Sequence, residues 1–119
     1  LERRIEYSVK SGIARDKIII DPGIGFGKRA EHNLEILKHL NKFKHLNLPI
    51  MIGTSHKSFI SKALELSGSN DTKENNSRLI GTLVSLVIAV SKGANIVRVH
   101  DVKDAVQVIK MYRSIEFRN

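Results

Sequence analysis

Three short clusters hold the residue types that could do chemistry. "IIIDPGIGFGK" at 18–28 ends an isoleucine run in a carboxylate, Asp21, then continues through three spaced glycines to Lys28. "GTSHKSF" at 53–59 sets Ser55, Lys57 and Ser58 around a histidine. "RVHD" at 98–101 places Arg98 and His100 two apart, hence on one side of an extended chain. A carboxylate accepts two donors at once, which suits a flat heterocycle bearing an amidine-like pair of N–H groups. A lysine among serine hydroxyls at a helix start suits a carboxylate ligand, and an arginine beside a histidine makes a compact anion site. Each cluster also has a plainer reading. Asp21 could cap its own turn, Lys57 could be a surface lysine after a capping serine, and Arg98 could pair with Asp101.

The glycine spacing excludes two phosphate cradles. A P-loop needs GxxxxGK followed by Ser or Thr, but Pro22 stands five before Gly27 and Arg29 follows Lys28. The dinucleotide fingerprint GxGxxG fails too, because Gly23, Gly25 and Gly27 are spaced GxGxG. A strand-end carboxylate remains, followed by a loop whose glycines let backbone approach a ligand closely.

The elements that must position these clusters alternate. A helix is predicted over 1–11 with Gly12 beyond its end, a buried strand over 17–20, and a helix over 30–43. A second strand is predicted at 48–53, then a helix at 57–66 capped by Ser55 or its neighbour, and an exposed polar loop at 67–77. The segment 78–92 reads as a helix apolar nearly all round and hence heavily buried. A third strand is expected at 95–99 and a last helix at 101–113, with Val102, Ala105, Val106, Ile109 and Tyr112 along one stripe. Apolar strands alternating with helices indicate parallel βα units covered on both faces, or closed into a barrel. Ligand sites in such folds gather at the carboxyl ends of the strands, which is where all three clusters fall. Three strands make a poor sheet by themselves, so the expectation is part of a larger α/β fold, starting mid-protein at Leu1.

Composition bounds the function classes. The 119 residues suit one domain, and 20 Lys and Arg against 12 Asp and Glu leave a net charge of +8, which favours an anionic partner. There is no cysteine, so no disulfide or thiolate metal site is possible, which fits a reducing, cytoplasmic setting. The densest apolar run, at 83–90, is too short to span a bilayer, and no membrane partner is expected. A nucleic-acid module would want aromatics among its basic residues, yet aromatics make up 5% of the chain, and no nucleic-acid partner is expected.

In order along the chain, "DPGIGFGK", "HNLEILKHL", "PIMIGTSHKSFI" and "RLIGTLVSLVIAVSKGANIVRVHDV" resemble the C-terminal portion of the dihydropteroate synthase family, from about Lys17 to Val108. The resemblance implies an α/β fold: the C-terminal part, about strands six to eight with their helices, of a TIM (β/α)8 barrel incomplete in this chain. All of 1–119 would then belong to a single pterin-binding domain. It further implies an intact enzyme joining 6-hydroxymethyl-7,8-dihydropterin diphosphate to 4-aminobenzoate with release of pyrophosphate. Asp21, Phe26 and Lys57 match pterin-binding positions. Gly25, Phe26, Ser55, Lys57 and Ser58 match the aminobenzoate site, and Arg98 and His100 the diphosphate pocket. The chemistry needs no side-chain nucleophile. A magnesium ion is implied, with its ligand expected outside this chain, as is a homodimer built on the last helices. The chain alone is expected to show no synthase activity. One departure stands out: the family's second motif reads Ser-Arg-Lys where this chain has Ser55-His56-Lys57. The related pterin-binding methyltransferases share the barrel and the aspartate but have no aminobenzoate or diphosphate to hold.

Overall fold

A computed structural model describes residues 1–118 of the chain. Its order is helix α1 (Glu2–Lys10), a 3-10 turn (Arg15–Lys17), helix α2 (Ala30–Lys38), a 3-10 helix (Leu40–Leu46), strand β1 (Met51–Ile52), helix α3 (Ser58–Ala63), helix α4 (Thr72–Ser91), strand β2 (Ile96–Val97) and helix α5 (Val102–Glu116). β1 and β2 run parallel, with Met51 opposite Ile96 and Ile52 opposite Val97. On the other side of β1, Ile20 forms a parallel bridge to Ile50. There the Ile20 amide donates to Pro49 O at 2.9 Å, and the Met51 amide donates to Ile20 O at 2.8 Å.

The predicted strand at 17–20 therefore shrinks to one bridged residue. The 3-10 turn takes up Lys17, and extended backbone resumes only at Ile18 (φ −103°, ψ 130°). The helix predicted to reach Phe43 stops at Lys38 for a different reason. Leu40, Phe43 and Leu46 are spaced by three, the repeat of a 3-10 helix, and in that form Leu40 and Leu46 are buried with Phe43 against the core.

α4 corrects two expectations. It begins at Thr72, six residues before the predicted start, because Asp71 caps it: Asp71 Oδ1 accepts the Glu74 amide at 2.8 Å. Its burial is also one-sided. The buried positions are Arg78, Thr82, Ser85, Leu86 and Ala89, whereas Ile80, Val84 and Ile88 face outward. The helix thus turns Arg78, Thr82 and Ser85 inward along with Leu86 and Ala89, and leaves three large aliphatic side chains outward, which a count of apolar residues does not show. α5 departs in the same sense: Ala105 is buried, but Val102 and Val106 of the predicted stripe are exposed.

The core runs from Ile5 of α1 through Ile20, Leu37, Ile50, Ile52, Phe59 and Ile60 to Ala89 of α4. Strand side chains alternate between faces, so Ile20, Ile50 and Ile52 fill this core, while Ile19 (52% exposed) and Ile96 (38% exposed) lie on the opposite face. The expectation of strands covered on both faces is met on one face only among the described residues. Asp21, Arg98 and His100 have the same parity as Ile19 and Ile96, which places them towards the uncovered face just past the strand ends.

Candidate functional site

The glycine loop at 21–28 is held from four directions. Asp21 Oδ1 accepts the Gly23 amide at 2.8 Å, so the turn-capping reading of Asp21 is correct for one of its oxygens. Lys28 Nζ donates to Gly23 O at 2.9 Å and closes the loop on itself. Asn33 on α2, 2% exposed, accepts the Gly25 amide at 2.8 Å. Lys57 Nζ reaches across to donate to Ile24 O, and lies 4.8 Å from the centre of the exposed Phe26 ring. Gly25 must be glycine here. Its φ is +87°, and a Cβ would stand 2.8 Å from Lys57 Cδ.

The loop after β1 is held by α4. Ser85 Oγ donates to Thr54 Oγ1 at 2.8 Å, and Thr82 Oγ1 accepts the His56 amide at 3.1 Å. These contacts explain the inward polar face of α4, since the hydroxyls anchor the loop that carries Ser55 and Lys57. Lys57, rather than Ser55, occupies the position before α3, and no side chain caps that helix. Ser55 points instead at the third cluster. Its Oγ accepts the His100 amide at 3.1 Å and lies 2.8 Å from His100 Nδ1. A serine hydroxyl has one proton to donate and two lone pairs to accept with, so this contact holds the His100 ring in either tautomer.

Between the second and third clusters lies a cavity of about 250 Å³ lined by Gly53, Ser55, Lys57, Arg98, Val99 and His100. The Arg98 guanidinium passes over Gly53, where a Cβ would meet Nε at 3.4 Å. Arg98 makes no ion pair among the described residues; Asp101 pairs with His56 instead, Nε2 donating to Oδ2 at 2.6 Å. Partial burial pushes the Lys57 ammonium below the ordinary lysine value, Arg98 adds to the effect, Asp21 opposes it and Lys28 lowers it slightly. The unfolded chain thus holds this proton more tightly than the folded one. The Lys57 contribution to stability therefore rises with pH in the interval between its folded value and that of an ordinary lysine.

The structure brings Ser55, Lys57, Arg98 and His100 around one cavity. It sets Gly25 and Phe26 against Lys57 and places Asp21 within electrostatic reach of it. Ser58 sits exposed in the first turn of α3, outside the cavity lining. Sequence reasoning missed Asn33, Thr54, Thr82 and Ser85, all buried. A polar residue recurring on the face that a helix must bury is the signal that would have found Thr82 and Ser85.

Residues 1–100 match the family described as pterin binding enzyme. The chain belongs to that family. Within it, the chain is 43% identical over 102 residues to the dihydropteroate synthase of Escherichia coli K12, covering 86% of this chain and 34% of that protein. The dihydropteroate synthase of Xanthomonas albilineans in complex with 7,8-dihydropteroate matches with a TM-score of 0.89 at 28% identity, over 99% of this chain and 43% of that one. The same enzyme with 4-aminobenzoic acid also matches with a TM-score of 0.89 at 28% identity, over 99% and 41%. The resemblance to dihydropteroate synthases seen in the motifs thus extends to the fold. The chain spans about a third of the length of the Escherichia coli relative.

Proposed function

We propose that the chain forms the C-terminal part, about strands six to eight with their helices, of a dihydropteroate synthase barrel. The observation that carries this reading is the cavity on the uncovered side of the strand ends, where Lys57, Arg98 and His100 converge beside the glycine loop. Two cations beside an imidazole suit a diphosphate better than any uncharged ligand. Asp21 keeps one carboxylate oxygen outside its turn to accept from a pterin N–H, and Phe26 offers a flat face next to the Lys57 ammonium.

In this reading the C–O bond of the pterin methylene breaks, and the electron pair leaves with pyrophosphate into the Arg98–His100 cavity. The ring-stabilised cation is attacked by the arylamine of 4-aminobenzoate, which then loses a proton to solvent. The chain contributes binding and alignment, and no nucleophile is required. Ser55 is committed to His100, so Lys57 and Ser58 are the groups left to meet the aminobenzoate carboxylate. Among the described residues no three His, Asp or Glu side chains come together to hold a metal, so the implied magnesium ion would take its ligands from outside this chain. The outward apolar residues of α4, with an adjoining groove of about 430 Å³ against α2 and α3, support a homodimer through this side. No helix among the described residues is long and apolar enough to cross a membrane.

The test is reconstitution. Co-expressed with the N-terminal portion of the Escherichia coli relative, the chain should turn over pterin diphosphate and 4-aminobenzoate, whereas alone it should not. Asp21→Ala and Lys57→Ala should each lower kcat/KM by about 100-fold or more, the scale of lost positioning and charge stabilisation. Near-normal rates in both variants would sink the site assignment. A pterin-binding methyltransferase would instead show no calorimetric binding of 4-aminobenzoate in the presence of pyrophosphate.

A further inference from the structure

His56 sits at φ +54°, left-handed backbone that a histidine adopts only at some cost in energy. Asp101 precedes the first residue of α5, the position from which an aspartate ordinarily caps its own helix, yet it makes no capping hydrogen bond. Two locally unfavourable arrangements thus meet in one contact, the 2.6 Å hydrogen bond from His56 Nε2 to Asp101 Oδ2. Both side chains are 32% exposed, so the pair is more sheltered than an ordinary surface bridge. The His56 and His100 rings meet edge to face, with centroids 5.7 Å apart. His56 belongs to the loop after β1 and Asp101 to the loop after β2, and these two loops are the walls of the cavity. Among the described residues, the other side-chain hydrogen bonds between the walls are those of Ser55 to His100.

We infer that His56 and Asp101 form a clasp that holds the two walls of the anion cavity in register, making His56 a positioning residue for Arg98 and His100. The clasp also keeps the Asp101 carboxylate engaged at the rim of a pocket that must accept a polyanion. It rests on reading this cavity as the diphosphate site. A surface ion pair of purely structural value would affect unfolding and leave anion affinity alone.

The experiment uses the full chain and inorganic pyrophosphate. Titration followed by amide and imidazole ¹H–¹⁵N spectra reports fold, clasp and binding together. His56→Ala should weaken pyrophosphate binding about fivefold, about 1 kcal/mol. His56→Gln, which restores a neutral donor without adding charge, should recover most of that loss. In an Asp101→Ala background the His56→Ala substitution should change affinity by less than about twofold, because the partner is already gone. Asp101→Ala should also move the His56 ring ¹⁵N resonances. An unmoved His56 ring, or an equal His56→Ala effect with and without Asp101, overturns the clasp. Should the unaltered chain bind no pyrophosphate while the His56 ring does respond to Asp101→Ala, the diphosphate reading fails, and the affinity role fails with it. The contact would then be structural only.

Discussion

At the scale of single residues, the site depends on side chains that the motifs do not advertise. Asn33 holds the glycine loop through one hydrogen bond to Gly25 N, from a position almost wholly out of solvent. Gly25 itself is exposed, so water can replace the lost acceptor and the net value of one hydrogen bond applies rather than the larger penalty of a buried orphan. Asn33→Ala should therefore cost about 1 kcal/mol in urea unfolding, with faster amide exchange at Gly25 as the local signature. The carboxylate, the lysine and the Arg-His pair were legible because their chemistry is written in residue type and in strand parity. The partners of Asp101 and Ser55 were not, because pairing across 45 residues depends on how two loops approach. Arg98 looked like the natural mate of Asp101 three residues on, yet His56 reaches that carboxylate from the other loop.

Among the elements, α4 teaches most. Its existence from Arg78 to Lys92 was plain from the apolar content, but its start and its facing were not. The start lay hidden in a polar stretch whose Asn, Gly and Ser content reads as loop, although Asp71 and Glu74 stand three apart, the spacing of a helix cap. Hydrogen bonds from the Glu74 amide and Ser69 lower the Asp71 carboxyl, and those from Ser67 lower Glu74. Both groups bind protons more weakly folded than unfolded. Their contribution is thus full above the ordinary carboxylate range and is lost as pH falls through the lowered folded values. Acid should fray the α4 start first: amide protection relative to the intrinsic exchange rate should fall at residues 72–75 as pH drops below about 4, ahead of residues 85–90. Asp71→Ala should show that loss of protection already at neutral pH. The facing of α4 could not be read from apolar content, because the loop that its hydroxyls anchor is brought there by the tertiary fold.

The molecule as a whole measures 49 × 42 × 22 Å, with a radius of gyration of 15.7 Å. A compact domain of this length would have a radius of about 13.5 Å. It is a slab with a helical layer on one strand face and Ile19 and Ile96 uncovered on the other. The alternation of strands and helices was legible, and so was the poverty of three strands by themselves; strand lengths were overstated, since short runs of isoleucine pair only where a neighbour is present. An uncovered apolar strand face invites association. The chain alone should sediment as larger species with rising concentration. Ile19→Lys combined with Ile96→Lys should suppress this while moving stability by no more than about 0.5 kcal/mol, as expected of exposed sites. Association that survives both substitutions would place the adhesive surface on the outward side of α4.

The stacking of Lys57 on Phe26 has a practical corollary. The ring is 66% exposed, and the chain contains no tryptophan. The Phe26→Trp indole would be the sole such fluorophore, with a cation near its face. Its emission would report, without any added label, a flat guest that displaces the Lys57 ammonium from the ring.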